Sequence, residues 1–287
     1  MPRTAPRVID SHVHFWDPAS RRHPWLDEVP ALFRPMLPGQ YQQQAPRSDG
    51  LVFVEADCEE SAATGEVAWI ESLAASGVPV LGIVAAVRLE SPDVEESLAA
   101  LARRPLVVGV RRLLQDERAG FCLDTGLLRG VRAAGDHGLA VDLCVRSHQL
   151  VELVELARLC PSTTLVLDHC GKPRIGSGDL DRWTGDLERL AAHEHVVCKL
   201  SGLATEASGG AEPLIAEYLR RALDVFGPDR VLFGSDWPVC TLETTWFTWH
   251  ATVTRVVQEL SPAEQAAVMG GNAERFYRLG DVRGEAS

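Results

Sequence analysis

The chain has 287 residues, 46% of them hydrophobic and 24% charged, an ordinary globular composition with enough length for a sizeable core. Its net charge of −12 is spread along the chain, a surface that repels phosphate backbones, so nucleic acid is not expected as a partner and a small neutral or cationic molecule is. No stretch approaches the ~18 apolar residues that span a bilayer, which argues against a membrane protein. The seven cysteines are odd in number, form no C-x-x-C and sit largely in apolar runs, so they read as reduced, buried thiols. With no apolar signal segment among Met1–Arg7, a cytoplasmic location is expected.

Taken in order, the first strand lies in Val8–Trp16, where two imidazoles, His12 and His14, interrupt an apolar run at positions i and i+2. Strand side chains alternate faces, so both would project the same way, as a metal-ligand pair or as a pair polarising a substrate oxygen. A long aromatic and Pro-rich connection follows, Trp16 to about Gln44, of the kind that forms a lid or wall, with Trp25 as a stacking surface. The second strand, Leu51–Glu55, ends in a carboxylate and precedes a helix over Ser61–Ser76. Then come a strand at Val80–Val87, a helix opened by Pro92 and Asp93, and a strand at Leu106–Arg112 that ends in two guanidiniums. Helix Thr125–Asp136, strand Leu139–Val145, helix Gln149–Cys160, strand Thr164–His169, helix Leu180–His193 and strand Val196–Leu200 continue the alternation. A helix from Glu212 to Phe226 leads to the last strand, Val231–Asp236, and helices at Glu243–Leu260 and Pro262–Phe276 close the chain.

Eight short strands, each a near-continuous apolar run and each followed by a helical pattern, predict a single (β/α)8 barrel of the TIM type over residues 1–287. An open doubly wound sheet is the alternative, but no Gly-rich phosphate loop follows the first strand. In such a barrel the site lies at the carboxyl ends of the strands. Those ends supply His12, His14, Glu55, Arg111 or Arg112, His169, Lys199 and Asp236. Asp236, at the end of the last strand and facing His12 and His14 across the seam, can take a proton from water while its neighbours act as electrophile. Lys199 reads equally as a buried strand end paired with a carboxylate.

These residues resemble the amidohydrolase superfamily, which pairs a first-strand His-x-His with an eighth-strand Asp. More narrowly, Ile9–Pro18, Gly109–Glu117, Leu167–Pro173, Cys198–Leu203, Phe233–Cys240 and Gly270–Tyr277 resemble its sugar-lactonase branch, in the right order along nearly the whole chain. The resemblance implies a hydrolase that opens an aldono-lactone, such as L-fucono- or L-rhamnono-lactone, to the aldonic acid. It makes Asp236, His12, His14 and His169 catalytic, and Trp25, Arg111, Lys172 and Glu55 substrate-binding. It also implies one divalent metal, zinc by its taste for imidazole, on His12, His14, Glu55 and Asp236, although the branch includes metal-independent members. The pattern departs from metal-dependent relatives in lacking a fifth-strand histidine, since His148 lies beyond that strand, and in carrying arginines on the fourth, so a binuclear site is not expected. A pyrone- or muconolactone-type lactonase and a metal-dependent decarboxylase are the alternative activities, and a homo-oligomer is a possible assembly.

Overall fold

A computed structural model describes residues 7–207 and 212–280. The eight strands are β1 (Ile9–Val13), β2 (Gly50–Val54), β3 (Val80–Ala86), β4 (Val107–Leu113), β5 (Ala140–Cys144), β6 (Leu165–Leu167), β7 (Val196–Leu200) and β8 (Val231–Phe233). They pair in sequence order and all in parallel. Nearly every strand residue is buried on both faces, which is why the sequence shows apolar runs instead of alternation.

The ring closes between β1 and the segment just after β8. Val13 bridges Trp237 in parallel, the His14 amide donates to the Trp237 carbonyl at 2.8 Å, and the Asp236 amide donates to the His12 carbonyl at 2.9 Å. Asp10 locks this seam from the outside of the barrel wall. Its carboxylate accepts from the Ser235 amide at 2.8 Å, the Trp246 indole at 2.7 Å and the Tyr41 hydroxyl at 3.0 Å. Burial raises the Asp10 carboxyl, and the hydrogen bonds from Ser235, Trp246 and Tyr41 oppose that shift.

The helices are α1 (Pro38–Gln44), α2 (Ala63–Ala75), α3 (Val94–Ala102), α4 (Thr125–Asp136), α5 (Leu150–Leu159), α6 (Leu180–Ala191), α7 (Leu203–Glu206), α8 (Glu212–Phe226), α9 (Trp246–Val257), α10 (Pro262–Ala266) and α11 (Asn272–Phe276). Two expectations are corrected. The connection after β1 is not all loop, because α1 forms where Pro38 starts a turn and Gln40 caps it by accepting from the Leu37 amide; its glutamine-rich sequence carries no apolar period. The final helix is not continuous either. A π-turn at Ala267–Gly271 separates α10 from α11, and there Gly270 passes so close to β1 that a Cβ would stand 2.6 Å from the Arg7 carbonyl.

The amino-terminal half of the barrel is filled by Ile9, Val52, Val54, Val84, Val108, Ala140, Val166, Val197 and Leu232, sealed from below by Ala273 and Tyr277. Among the described residues no helix is long and apolar enough to cross a membrane. All seven cysteines are free thiols.

Candidate active site

The imidazole pair stands where β1 meets β8. His12 is wholly buried and His14 is 5% exposed, with ring centroids 4.9 Å apart and edge to face. His14 Nδ1 lies 2.8 Å from the Val54 carbonyl, which can only accept, so Nδ1 carries the proton. His14 Nε2 then turns to Asp236 Oδ1 at 3.4 Å, and His12 Nε2 lies 3.8 Å from the same oxygen. A bare ring nitrogen facing a carboxylate leaves two acceptors opposed, an arrangement completed by a proton or a cation between them.

His169 joins from the turn after β6, its ring 4.5 Å from that of His12 and its Nδ1 2.9 Å from Ser201 Oγ. That placement depends on Gly202, at φ 68°, where a Cβ would stand 2.4 Å from His169 Nδ1. The site is built from unusual backbone throughout: His169, Lys172 and Asp236 all have positive φ, as does Asp57 at the rim. Burial lowers His169 to about 4, against the pull of Asp236 and Asp168, so its ring is neutral at physiological pH. Burial also lowers His12, helped by the Lys199 charge. Burial pushes the Asp236 carboxyl up, but the imidazoles of His169, His14 and His12 outweigh it and hold it below the ordinary carboxylate range.

Beneath and beside these groups runs a buried charge network. Arg111 Nε donates to Glu55 Oε1 at 2.6 Å, and its Nη1 lies 3.4 Å from Asp168 Oδ2 and 3.5 Å from His12 Nε2. Lys199 Nζ donates to Asp142 Oδ2 at 2.5 Å, and Asp142 also accepts from the Tyr277 hydroxyl at 2.8 Å. Four carboxylates (Glu55, Asp142, Asp168 and Asp236) thus face two side-chain cations (Arg111 and Lys199), all of them at most 5% exposed. Buried carboxylates that outnumber the buried side-chain cations beside them favour a further positive charge.

The mouth opens into a cavity of about 330 Å³ lined by His14, His169 and Asp236 on one side and by Trp25, Arg111 and Lys172 on others. Trp25 is fixed by its indole, which donates to the Ala56 carbonyl at 2.9 Å. Lys172 Nζ donates to Gln115 Oε1 at 2.6 Å and lies 3.7 Å from Glu206. Burial lowers Lys172, but Cys144, Glu206 and Asp236 outweigh it and keep the ammonium charged.

The structure therefore gathers His12, His14, His169, Asp236, Trp25, Arg111 and Lys172 at one mouth. Glu55 is there too, but not as a metal ligand: one of its oxygens is held by Arg111 and the other by the Asp57 amide at 2.7 Å. Three groups of donor atoms among the described residues lie within 4.8 Å of one another, and the one beside Asp236 is His12, His169 and Asp236. Of the two arginines only Arg111 enters the site, because Arg112 turns outward to Glu90 and Glu117. Lys199 is the strand residue paired with a carboxylate. Sequence reasoning missed Asp142, Asp168, Tyr277, Ser201 and Gln115. The signal for the two aspartates was present, since a carboxylate inside a buried strand, as in Ala140–Cys144, must have a partner.

The family model described as amidohydrolase matches residues 9–279. An L-fucono-1,5-lactonase of Burkholderia ambifaria is 35% identical, over 96% of this chain and 97% of its own length. An L-rhamnono-gamma-lactonase of Scheffersomyces stipitis is 25% identical over 54% of each chain. The crystal structure of a Burkholderia multivorans amidohydrolase with bound zinc superposes with a TM-score of 0.87 at 35% identity, covering 95% of this chain and 99% of that one. With the His-x-His, the eighth-strand aspartate and the barrel all in place, this chain belongs to the amidohydrolase family.

Proposed function

We propose that the protein hydrolyses sugar lactones of the aldono-1,5-lactone type, with Asp236 as the proton carrier. The observation that carries the mechanism is the place of the Asp236 carboxylate, on the cavity wall, ionised, with two imidazole nitrogens within 4 Å of Oδ1. A lactone carbonyl in the cavity would lie between Asp236 and Arg111. Asp236 takes a proton from water as the water oxygen bonds to the carbonyl carbon. His12, His169 and Arg111 surround the oxygen on which negative charge collects. As the ring C–O bond breaks, Asp236 returns the proton to the departing ring oxygen and leaves an open-chain aldonic acid. Lys172 with Gln115 offers donors and an acceptor to ring hydroxyls, and Trp25 offers a flat wall.

The residues fit a divalent ion. His169 and Asp236, with His12 and the Nε2 of His14, would hold it, and the imidazole and carboxylate donors suit zinc. Such an ion supplies Lewis-acid polarisation of the carbonyl.

A pH-indicator screen of aldono-lactones, run with and without chelator on the native protein and on Asp236→Asn, tests both parts. Opening of L-fucono- or L-rhamnono-lactone that falls at least ~10²-fold in Asp236→Asn, with an unchanged melting temperature, is the expected outcome. Full activity in the folded variant would end the assignment of Asp236, and activity indifferent to chelator would end the metal requirement.

A further inference from the structure

One group in the barrel has no part in the reaction just described. Lys199 is fully buried on β7, a residue type almost never found without exposure unless paired. Its Nζ lies 2.5 Å from Asp142 Oδ2, 3.2 Å from Asp168 Oδ1 and 3.1 Å from His12 Nδ1. His12, Asp142 and Asp168 also form one of the groups whose donor atoms all lie within 4.8 Å of one another, a separation suited to a shared metal ion. Asp168 Oδ1 is wholly buried, 3.2 Å from Lys199 Nζ and 3.2 Å from His12 Nδ1, so it faces the ammonium and the imidazole together. Two carboxylate oxygens and a ring nitrogen around a point charge are a cation cradle, and the cation in it is the chain's own ammonium.

We propose that Lys199 is a built-in cation: it fills a second metal position beneath the catalytic mouth and, from there, positions His12. The cradle is anchored from the closed end of the barrel. The Tyr277 hydroxyl reaches Asp142 at 2.8 Å on both oxygens, and its ring lies 5.4 Å from Lys199 Nζ. The order from bottom to top is Tyr277, Asp142, Lys199, Asp168 with His12, then the cavity. The fourth-strand arginine guards the outer side, and Lys199 occupies the inner side, so the centre has room for no more than one ion. This holds whether or not the outer site requires its metal, because the prediction concerns the difference between two proteins.

The test is a cobalt(II) titration of the native protein and of Lys199→Ala, read by metal analysis after gel filtration and by the visible absorption of bound cobalt. Lys199→Ala is expected to hold one more equivalent than the native chain, and Lys199→Ala/Asp142→Asn to lose it again. Equal equivalents in Lys199→Ala and the native chain would overturn the proposal. Because emptying a charged pocket can prevent folding, Tyr277→Phe gives a second, milder arm that leaves the cavity lining untouched. It is expected to lower kcat about three- to tenfold at unchanged KM; an unchanged kcat, or a change confined to KM, would overturn the positioning role.

Discussion

The two ends of this barrel are built on opposite plans. Below, apolar residues contributed by all eight strands interlock. Above, four carboxylates, two cations and three imidazoles crowd together, and non-glycine residues with left-handed backbone cluster at the rim. The lower half has nothing to do but hold the strand ends apart at fixed distances, and its burial stabilises the fold. The upper half costs stability in backbone strain and desolvated charge, and holds reactive groups where they would not otherwise sit. Between the two, Lys199, Asp142 and Tyr277 form a polar layer that belongs to neither.

Variants that separate the two halves should behave differently. In the lower half, Ile9→Ala removes a fully buried side chain from the start of β1. It should cost roughly 3 kcal/mol in denaturant unfolding while kcat per folded molecule stays within about twofold. A large loss of kcat at full folding would show that the two halves are not independent. In the upper half, Gly202→Ala should do the reverse. The new methyl meets the His169 ring, and a displacement of about 1 Å at a catalytic group can cost on the order of 10²-fold in rate, with a much smaller change in unfolding. Native activity in Gly202→Ala would mean that the placement of His169 is not critical.

A smaller effect concerns pH. The proposed mechanism needs His169 neutral and Asp236 ionised. The His169 pKa is lowered to about 4 by burial, and Asp236 is held below the usual carboxylate range. Both groups are therefore in their working state at neutral pH and leave it only as pH falls toward about 4. The profile of kcat/KM should be level between pH 6 and 8 (roughly, once uncatalysed hydrolysis is subtracted), with its acid limb below about 5. An acid limb near the ordinary histidine value of ~6.5 would contradict this. The smallest effect is at the wall: Trp25→Phe loses the indole bond to Ala56 but keeps an aromatic face, and KM should rise a few-fold with kcat nearly unchanged.

How much of this was legible in the sequence follows the same division. The strands could be read because a parallel strand buried on both faces leaves a continuous apolar run, and Val80–Val87 or Val196–Leu200 can hardly be anything else. The mouth could be read because chemistry collects at strand ends, which puts His12, His14, His169 and Asp236 together from the sequence alone. Partnership was not legible. Glu55 looks like a ligand at a strand end, and only the distance to Arg111 shows that its charge is already taken. Asp142 and Asp168 lie before strand ends or beside a louder histidine, and Tyr277 sits in a carboxyl-terminal helix whose docking under the barrel no local pattern reveals. Helix α1 was hidden for a simpler reason, since its amphipathic period is absent.

The seam closed by Asp10 sets a condition on how the protein comes into being. His12 lies on the first strand with His14 just after it, Asp236 lies just after the eighth, and the Asp236 amide is placed by its bond to the His12 carbonyl. A nascent chain on the ribosome can therefore form strand after strand without possessing an active site. The meeting of His12 and His14 with Asp236 exists only once the eighth strand docks on the first, so on the proposed mechanism activity would report a finished barrel, and a fragment lacking either edge would be inert rather than partly active.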